Sequence, residues 1–191
     1  LAAEGIVLEH LDLGGGVGIV YQDEKVPDLG AYAQAVQKLI CTRRLKLILE
    51  PGRSLVGNAG ALLTRVEFVK HGEEKNFVMV DAAMNDLMRP ALYDAYHHIE
   101  AVETKDIEPL TANIVGPICE TGDFLGKDRT IACEEGDLLL IRSAGAYGAS
   151  MASNYNARNR AAEVLVNGNE YRLIRRRETL EQQMANELAC L

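Results

Sequence analysis

The sequence predicts an α/β segment followed by a mostly antiparallel, β-rich segment, with the change of texture near residue 60. Two glycine-bearing loops predict the first part: Gly14-Gly15-Gly16 follows the run Leu8 to Leu13, and Glu50-Pro51-Gly52-Arg53 follows Leu45 to Leu49. Short apolar runs closed by turn residues read as buried parallel strands, so both loops are expected at one mouth, past the strand ends, where α/β folds keep their ligands. The second part is predicted by a series of short segments rich in β-branched residues and separated by turn signals.

From Asp28 to Cys41, apolar residues at 29, 32, 33, 36, 39 and 40 have helical spacing and would bury one side. Strand, helix and strand thus follow in order as a βαβ unit, ended by a brief helical turn from Ser54 to Ala59. Strands are then expected at 62–70, 76–81, 98–103, 111–115, 137–143, 163–166 and 170–175. The turns His71-Gly72-Glu73, Glu135-Gly136-Asp137 and Asn167-Gly168-Asn169 favour hairpins between them. Short helices are expected around 85–96 and 145–153, and a last one from Glu178 to about Ala189. The opening Leu1-Ala2-Ala3-Glu4-Gly5 reads as a helix tail capped by glycine, as in the C-terminal portion of a longer chain.

The 191 residues, 48% of them apolar, suffice for a real core. A net charge of -8 argues against nucleic acid or an anionic membrane as the main partner. Arg175-Arg176-Arg177 is the single basic run and reads as a solvated strand end, and charges interrupt every apolar stretch well before the length of a membrane span. Cysteines 41, 119, 133 and 190 lack the spacing of a zinc site, so no metal is expected, and the thiols read as free in a reducing cytoplasm.

Glycines at a strand end let main-chain N–H groups approach an anion, so the first loop suits a phosphate, although judged alone it also reads as a structural turn. It lacks the third glycine and the later acidic residue of a dinucleotide fingerprint, and the chain has no triphosphate-binding P-loop.

The combination is more specific. Leu11 to Gly16, Glu50-Pro51-Gly52-Arg53, Met84 to Tyr93 (MNDLMRPALY), Cys119-Glu120-Thr121-Gly122-Asp123 and Ala146 to Asn156 (AYGASMASNYN) occur in an order and spacing that resemble the C-terminal half of the diaminopimelate decarboxylases, pyridoxal-phosphate enzymes of the alanine-racemase-like fold. The Cys-Glu pair separates the chain from ornithine decarboxylase relatives, which place Asp after the Cys.

The resemblance implies that residues 1–59 are the last strands of a (β/α)8 TIM barrel and that 60–191 form a β-barrel or sandwich domain contributing substrate and dimer-interface residues. It implies pyridoxal 5'-phosphate as cofactor, its phosphate held by Gly16 and by Glu50, Pro51, Gly52 and Arg53, with Tyr147 also in contact. Arg53, Arg89, Tyr93, Glu120 and Tyr147 would bind a small amino-acid substrate, since a planar guanidinium holds a carboxylate through two parallel hydrogen bonds. Cys119 would be the catalytic proton donor. Considered singly, each arginine also reads as a surface ion pair, Cys119 as a buried inert thiol and Tyr147 as core.

Pro90, read in a second helical turn, weakens the expectation that Arg89 and Tyr93 share a face. The four histidines read as surface or satisfied residues, and Asp81 as structural, with a role at a subunit interface as the alternative.

The implied reaction is decarboxylation of meso-2,6-diaminoheptanedioate to L-lysine, the last step of lysine biosynthesis, in a cytoplasmic homodimer whose Cys-Glu loop completes the partner's site. No lysine of this chain lies in a motif suited to carrying the cofactor, so the chain alone is expected to be inactive. The alternatives are another basic amino-acid or carboxynorspermidine decarboxylase of the same fold, or a non-catalytic relative acting as a binding partner.

Overall fold

A computed structural model describes residues 2–41 and 45–191. The helix-tail reading of the first five residues falls partly on Leu1, outside the described residues. Ala2–Glu4 forms one 3-10 turn, followed by Gly5 at φ +77°.

Strands β1 (His10–Asp12) and β2 (Lys46–Ile48) pair in parallel, with His10 opposite Lys46, and α1 (Leu29–Ile40) connects them. Asp28 caps α1 by accepting a hydrogen bond from the Ala31 amide at 2.8 Å. Parallel pairing follows the expected βαβ order, but burial does not. Leu8, Ile48 and Leu49 are each more than 40% exposed, and on α1 only Val36 is buried. The apolar pattern is that of a unit covered on its faces, and two short strands with one helix supply too little surface to cover it.

Past the short α2 (Arg53–Val56) and a 3-10 turn (Gly57–Ala59), the chain enters a six-stranded mixed sheet. Its strands are β3 (Leu62–Lys70), β4 (Asn76–Val80), β5 (Ile99–Ala101), β6 (Leu110–Val115), β7 (Phe124–Ile131) and β8 (Leu138–Ile141), ordered β5-β8-β3-β4-β6-β7. Every pairing is antiparallel except β4 with β6, which the chain reaches by crossing over through α3 (Arg89–Tyr93) and β5. The sheet curls until its edges approach: a Cβ on Gly126 of β7 would lie 2.9 Å from Ile99 Cδ1 of β5. Alternate residues face inward, and Val66, Val78, Val80, Leu87, Ile114, Leu125, Leu139 and Ile141 form one core at essentially zero exposure.

Strand β7 was not expected. Gly126-Lys127-Asp128 breaks its alternation, Asp128 adopts φ +50°, and the register against β6 shifts twice. The turn at Glu135-Gly136-Asp137 does not close a hairpin, because β7 and β8 are not neighbours. It instead carries the chain across to β3, where Val66 accepts from the Gly136 amide and donates to Asp137, each at 2.8 Å. Asn167-Gly168-Asn169 does close a hairpin, of β9 (Glu163–Asn167) with β10 (Glu170–Arg175), with Gly168 at φ +60°.

Helix is shorter than expected. The 85–96 segment contains only α3, the 145–153 segment is a chain of turns, and the last helix divides into α4 (Leu180–Gln183) and α5 (Ala185–Leu188) at Met184. Asp81 is structural in role: its Oδ1 accepts from Thr64 Oγ1 at 2.6 Å and from the Arg65 amide at 2.9 Å, inside the β3–β4 pair.

A close backbone seam joins the α/β segment to the sheet. The Ala144 and Gly145 amides donate to the carbonyls of Gly60 and Gly57 at 2.8 and 3.0 Å, and a Cβ on Gly145 would collide with the Val56 carbonyl oxygen. Gly145→Ala is therefore expected to force these backbones apart and cost about 1 to 3 kcal/mol. Gly18→Ala, whose added methyl meets nothing within 4 Å, should leave stability within about 0.5 kcal/mol of the parent; thermal unfolding of the two variants makes the comparison.

Candidate active site

The two glycine loops lie against each other. The Leu13 amide donates to the Ile48 carbonyl at 3.1 Å and the Glu50 amide to the Gly14 carbonyl at 2.9 Å, continuing the β1–β2 ladder into the loops. Gly14 and Gly16 have φ of +65° and +81°, a conformation that favours glycine, and a Cβ on Gly15 would strike the Glu50 carbonyl oxygen. Gly52 begins α2 with no side-chain cap, so Arg53 and Ser54 present first-turn amides that no cap satisfies. Two adjacent glycine-bearing loops with main-chain amides are chemically suited to an anion.

Beside it opens a cavity of about 340 Å³ lined by Arg53, Arg89, Tyr93, Tyr147 and Met151. Four residues singled out from the sequence therefore converge from three places: the start of α2, α3, and the turns after β8. Pro90 does not disturb α3. It occupies the first turn, where no amide partner exists to be lost, so Arg89 and Tyr93 do line the same cavity. Tyr147 holds φ +62°, an unfavourable conformation for a bulky residue, and such strain collects where a side chain must be aimed.

Among the described residues, no carboxylate pairs with Arg53 or Arg89. Arg89 is buried, yet its partners are neutral. Its Nη1 donates to His97 Nε2 at 2.9 Å, and its guanidinium lies 4.6 Å from the Tyr21 ring centroid. His97 is wholly buried and meets Tyr21 edge to face, with centroids 5.2 Å apart. Because a guanidinium can only donate, Nε2 must accept, which assigns the ring proton to Nδ1, where it bonds the Arg142 carbonyl at 2.9 Å. Burial first, and the Arg89 charge second among the forces opposing protonation, hold the imidazole below its ordinary range and keep it neutral. A cavity with two cationic, acid-free walls is chemically suited to an anion, and its planar donors suit a carboxylate.

Cys119 and Glu120 do not line this cavity. They lie on the β6–β7 loop, which is clamped by the buried Asp123: its two carboxylate oxygens accept from the Met84 and Ile118 amides at 2.7 Å each. Cys119 is exposed rather than buried in the core. Glu120 accepts a hydrogen bond from Tyr155 Oη at 3.1 Å, and that bond, with the charges of Glu120 and Cys119, raises the phenol above its usual range. Tyr155 is placed by a 3-10 turn (Tyr155–Ala157) containing two residues of positive φ. Buried Asn85 holds this segment, donating to the Ser153 carbonyl at 3.1 Å and accepting from Arg158 Nε at 2.9 Å. Asn85 thus anchors the loop and does not cap α3, whose N-cap is Met88.

Sequence reasoning missed Met151, Tyr155, Tyr21 and His97 as members of these two clusters. Met151 and Tyr155 stand inside the AYGASMASNYN motif. For Tyr21 and His97 no spacing signal exists, since they reach Arg89 only through the fold.

The family profile described as the C-terminal sheet domain of pyridoxal-dependent decarboxylases matches residues 17–145. The chain is 96% identical over 191 residues to a diaminopimelate decarboxylase of Neisseria meningitidis serogroup B, covering all of this chain and 46% of that protein. It is 58% identical over 187 residues to the one of Pseudomonas aeruginosa, covering 98% and 45%. Among solved structures, one from Aquifex aeolicus superposes with a TM-score of 0.93 at 49% identity, over 98% of this chain and 47% of that one. A diaminopimelate decarboxylase from Helicobacter pylori complexed with L-lysine superposes with a TM-score of 0.90 at 41% identity, over 100% and 47%. The chain spans about half the length of the curated relatives it matches. It belongs to the pyridoxal-dependent decarboxylase family and carries that family's C-terminal sheet domain.

Proposed function

We propose that this chain is the C-terminal part of a pyridoxal 5'-phosphate-dependent decarboxylase that converts meso-2,6-diaminoheptanedioate to L-lysine and carbon dioxide. The observation that carries the reading is the cavity in which Arg53, Arg89, Tyr93 and Tyr147 converge with no acidic partner for either guanidinium among the described residues. The N-terminal stretch is read as the last strands of a (β/α)8 barrel. The exposed apolar residues of β1, α1 and β2 are the faces that further barrel strands and helices would cover. The main-chain amides at Gly14 to Gly16 and at Gly52 to Ser54 would hold the cofactor phosphate, with Glu50 and Pro51 shaping the second loop and Tyr147 closing the cradle.

When bound, the cofactor supplies an electron sink for the pair left on the substrate carbon when the carboxylate departs. The chain's own residues supply aim, charge and a proton. Arg53 and Arg89 orient the distal carboxylate, the one that survives in L-lysine, and Tyr93 and Tyr147 wall the substrate. Glu120 takes the distal ammonium, and Cys119 Sγ delivers a proton to the carbon that has lost carbon dioxide, then regains one from solvent. A monocarboxylate amino acid would leave both guanidiniums unsatisfied at about 1 to 3 kcal/mol each, which is the basis for choosing the dicarboxylate.

Since Cys119 and Glu120 stand apart from the cavity and are exposed, we read them as completing the site of a second subunit in a cytoplasmic homodimer. The relatives named diaminopimelate decarboxylase and the solved complex with L-lysine support the substrate assignment.

In the complete enzyme, meso-2,6-diaminoheptanedioate is expected to be decarboxylated in preference to L-lysine, L-ornithine and L-arginine. Arg89→Ala should raise KM by roughly tenfold or more, and Cys119→Ser should lower kcat by roughly 100-fold. Preferred turnover of a monocarboxylate, or full turnover by the serine variant, would contradict these assignments.

A further inference from the structure

We propose that His97 is a positioning residue for substrate recognition: through its Nε2 it accepts from Arg89 Nη1 and fixes the edge of the guanidinium presented to a carboxylate in the cavity. This rests on the reading of that cavity as the seat of the substrate's distal carboxylate. Arg89 begins a helix of five residues and has a long side chain with many rotamers, so a backbone position alone does not aim its fork. Two contacts do so. The Tyr21 ring lies across the guanidinium at 4.6 Å, and His97 Nε2 accepts a hydrogen bond from Nη1 at 2.9 Å.

The identity of the acceptor matters. A carboxylate in this place would hold Arg89 equally well but would neutralise it, and the cavity would lose a cationic wall. A neutral imidazole aims the guanidinium and leaves its charge available to the ligand. The imidazole can act only in one tautomer, and the Arg142 carbonyl selects it by accepting from Nδ1 at 2.9 Å. Every group facing the ring is consistent with this. Arg89 and Arg129 oppose protonation, Tyr21 contributes a ring edge, and the Arg142 guanidinium is turned away to Glu100 at 2.6 Å. Arg142 follows β8 directly, five residues before Tyr147, so the same carbonyl ties Arg89 to the turns that carry another wall of the cavity.

Two substitutions separate the functions of the ring. In His97→Gln the amide oxygen can stand at the Nε2 position and accept from Arg89. In His97→Asn the shorter amide can reach the Arg142 carbonyl but offers Arg89 no acceptor. The test is equilibrium binding of L-lysine and of cadaverine, the same chain lacking the carboxylate, to the cofactor-loaded complete enzyme, with cofactor content measured separately.

The unmutated enzyme is expected to prefer L-lysine. His97→Asn should reduce that preference about tenfold while leaving cadaverine affinity unchanged, and His97→Gln should restore it to within about threefold. A purely structural role would weaken both ligands in parallel and overturns the proposal, as does an unchanged preference in His97→Asn. Absence of any preference in the unmutated enzyme would instead overturn the reading of the cavity. Should the variants fail to fold, nitrogen NMR of histidine-labelled, unmutated enzyme at neutral pH decides the matter: an unprotonated Nε2 on His97 is expected, and a protonated one overturns the proposal.

Discussion

The backbone of Gly57 to Gly60 runs so close to that of Ala144 and Gly145 that neither Gly60 nor Gly145 has room for a side chain, and two amide-to-carbonyl bonds lock the approach. The candidate site depends on this seam. On one side it fixes α2, which begins with Arg53; on the other it fixes the turns that expose Tyr147. The third wall, α3, is tied to the sheet, because Arg89 bonds His97 and His97 bonds the carbonyl that follows β8, and it also meets Tyr21 of the α/β segment. Ser143, in the positive-φ region, reaches back across the seam to Asn58 at 2.8 Å, so polar contacts reinforce the close backbone approach.

Charge is distributed to match. The chain as a whole is acidic, yet among the described residues the two guanidiniums at the cavity have no acidic partner, whereas Arg142 pairs with Glu100, Arg158 with Asp86, Arg160 with Glu178 and Arg175 with Glu163. Leaving cations unpaired is unfavourable in the free protein and favourable once an anion arrives, which is how a site holds affinity in reserve for one charge type. The second cluster has the opposite character: an exposed thiol, a carboxylate and a phenol, on a loop clamped by the buried Asp123.

Much of this was legible in the sequence, for particular reasons. β3, β4, β6 and β10 alternate or run apolar between clear turns, and their boundaries fall within a residue of expectation. The resemblance rests on ordered motifs, so it located Arg53, Arg89, Tyr93 and Tyr147 before any geometry was known, and the fold brings those four to one cavity. What was illegible is what the fold decides. β7 carries Gly, Lys and Asp in its middle because Gly126 is buried where β7 closes on Ile99, while the irregular register leaves Lys127 and Asp128 exposed. The 85–96 segment has helical spacing but gives up most of it, since Asn85 and Asp86 spend their side chains on loop contacts and Asp94 ends α3 in the left-handed region at φ +51°. His97 lies beside a near twin, His98, and only the fold shows that one is buried on Arg89 while the other is exposed and paired with Glu100.

The two clusters sit on one chain without meeting, and a two-fold pairing of subunits would unite each cavity with its neighbour's thiol loop. The most direct measurement is complementation between two inactive forms of the complete enzyme, one altered at Cys119 and the other at Arg89, each to Ala, assembled together. In a mixed dimer one site has the intact cavity of the first chain and the intact loop of the second, so random pairing should restore about a quarter of the parental activity. If mixing restores nothing, each site is built within a single chain and the shared-site account is wrong.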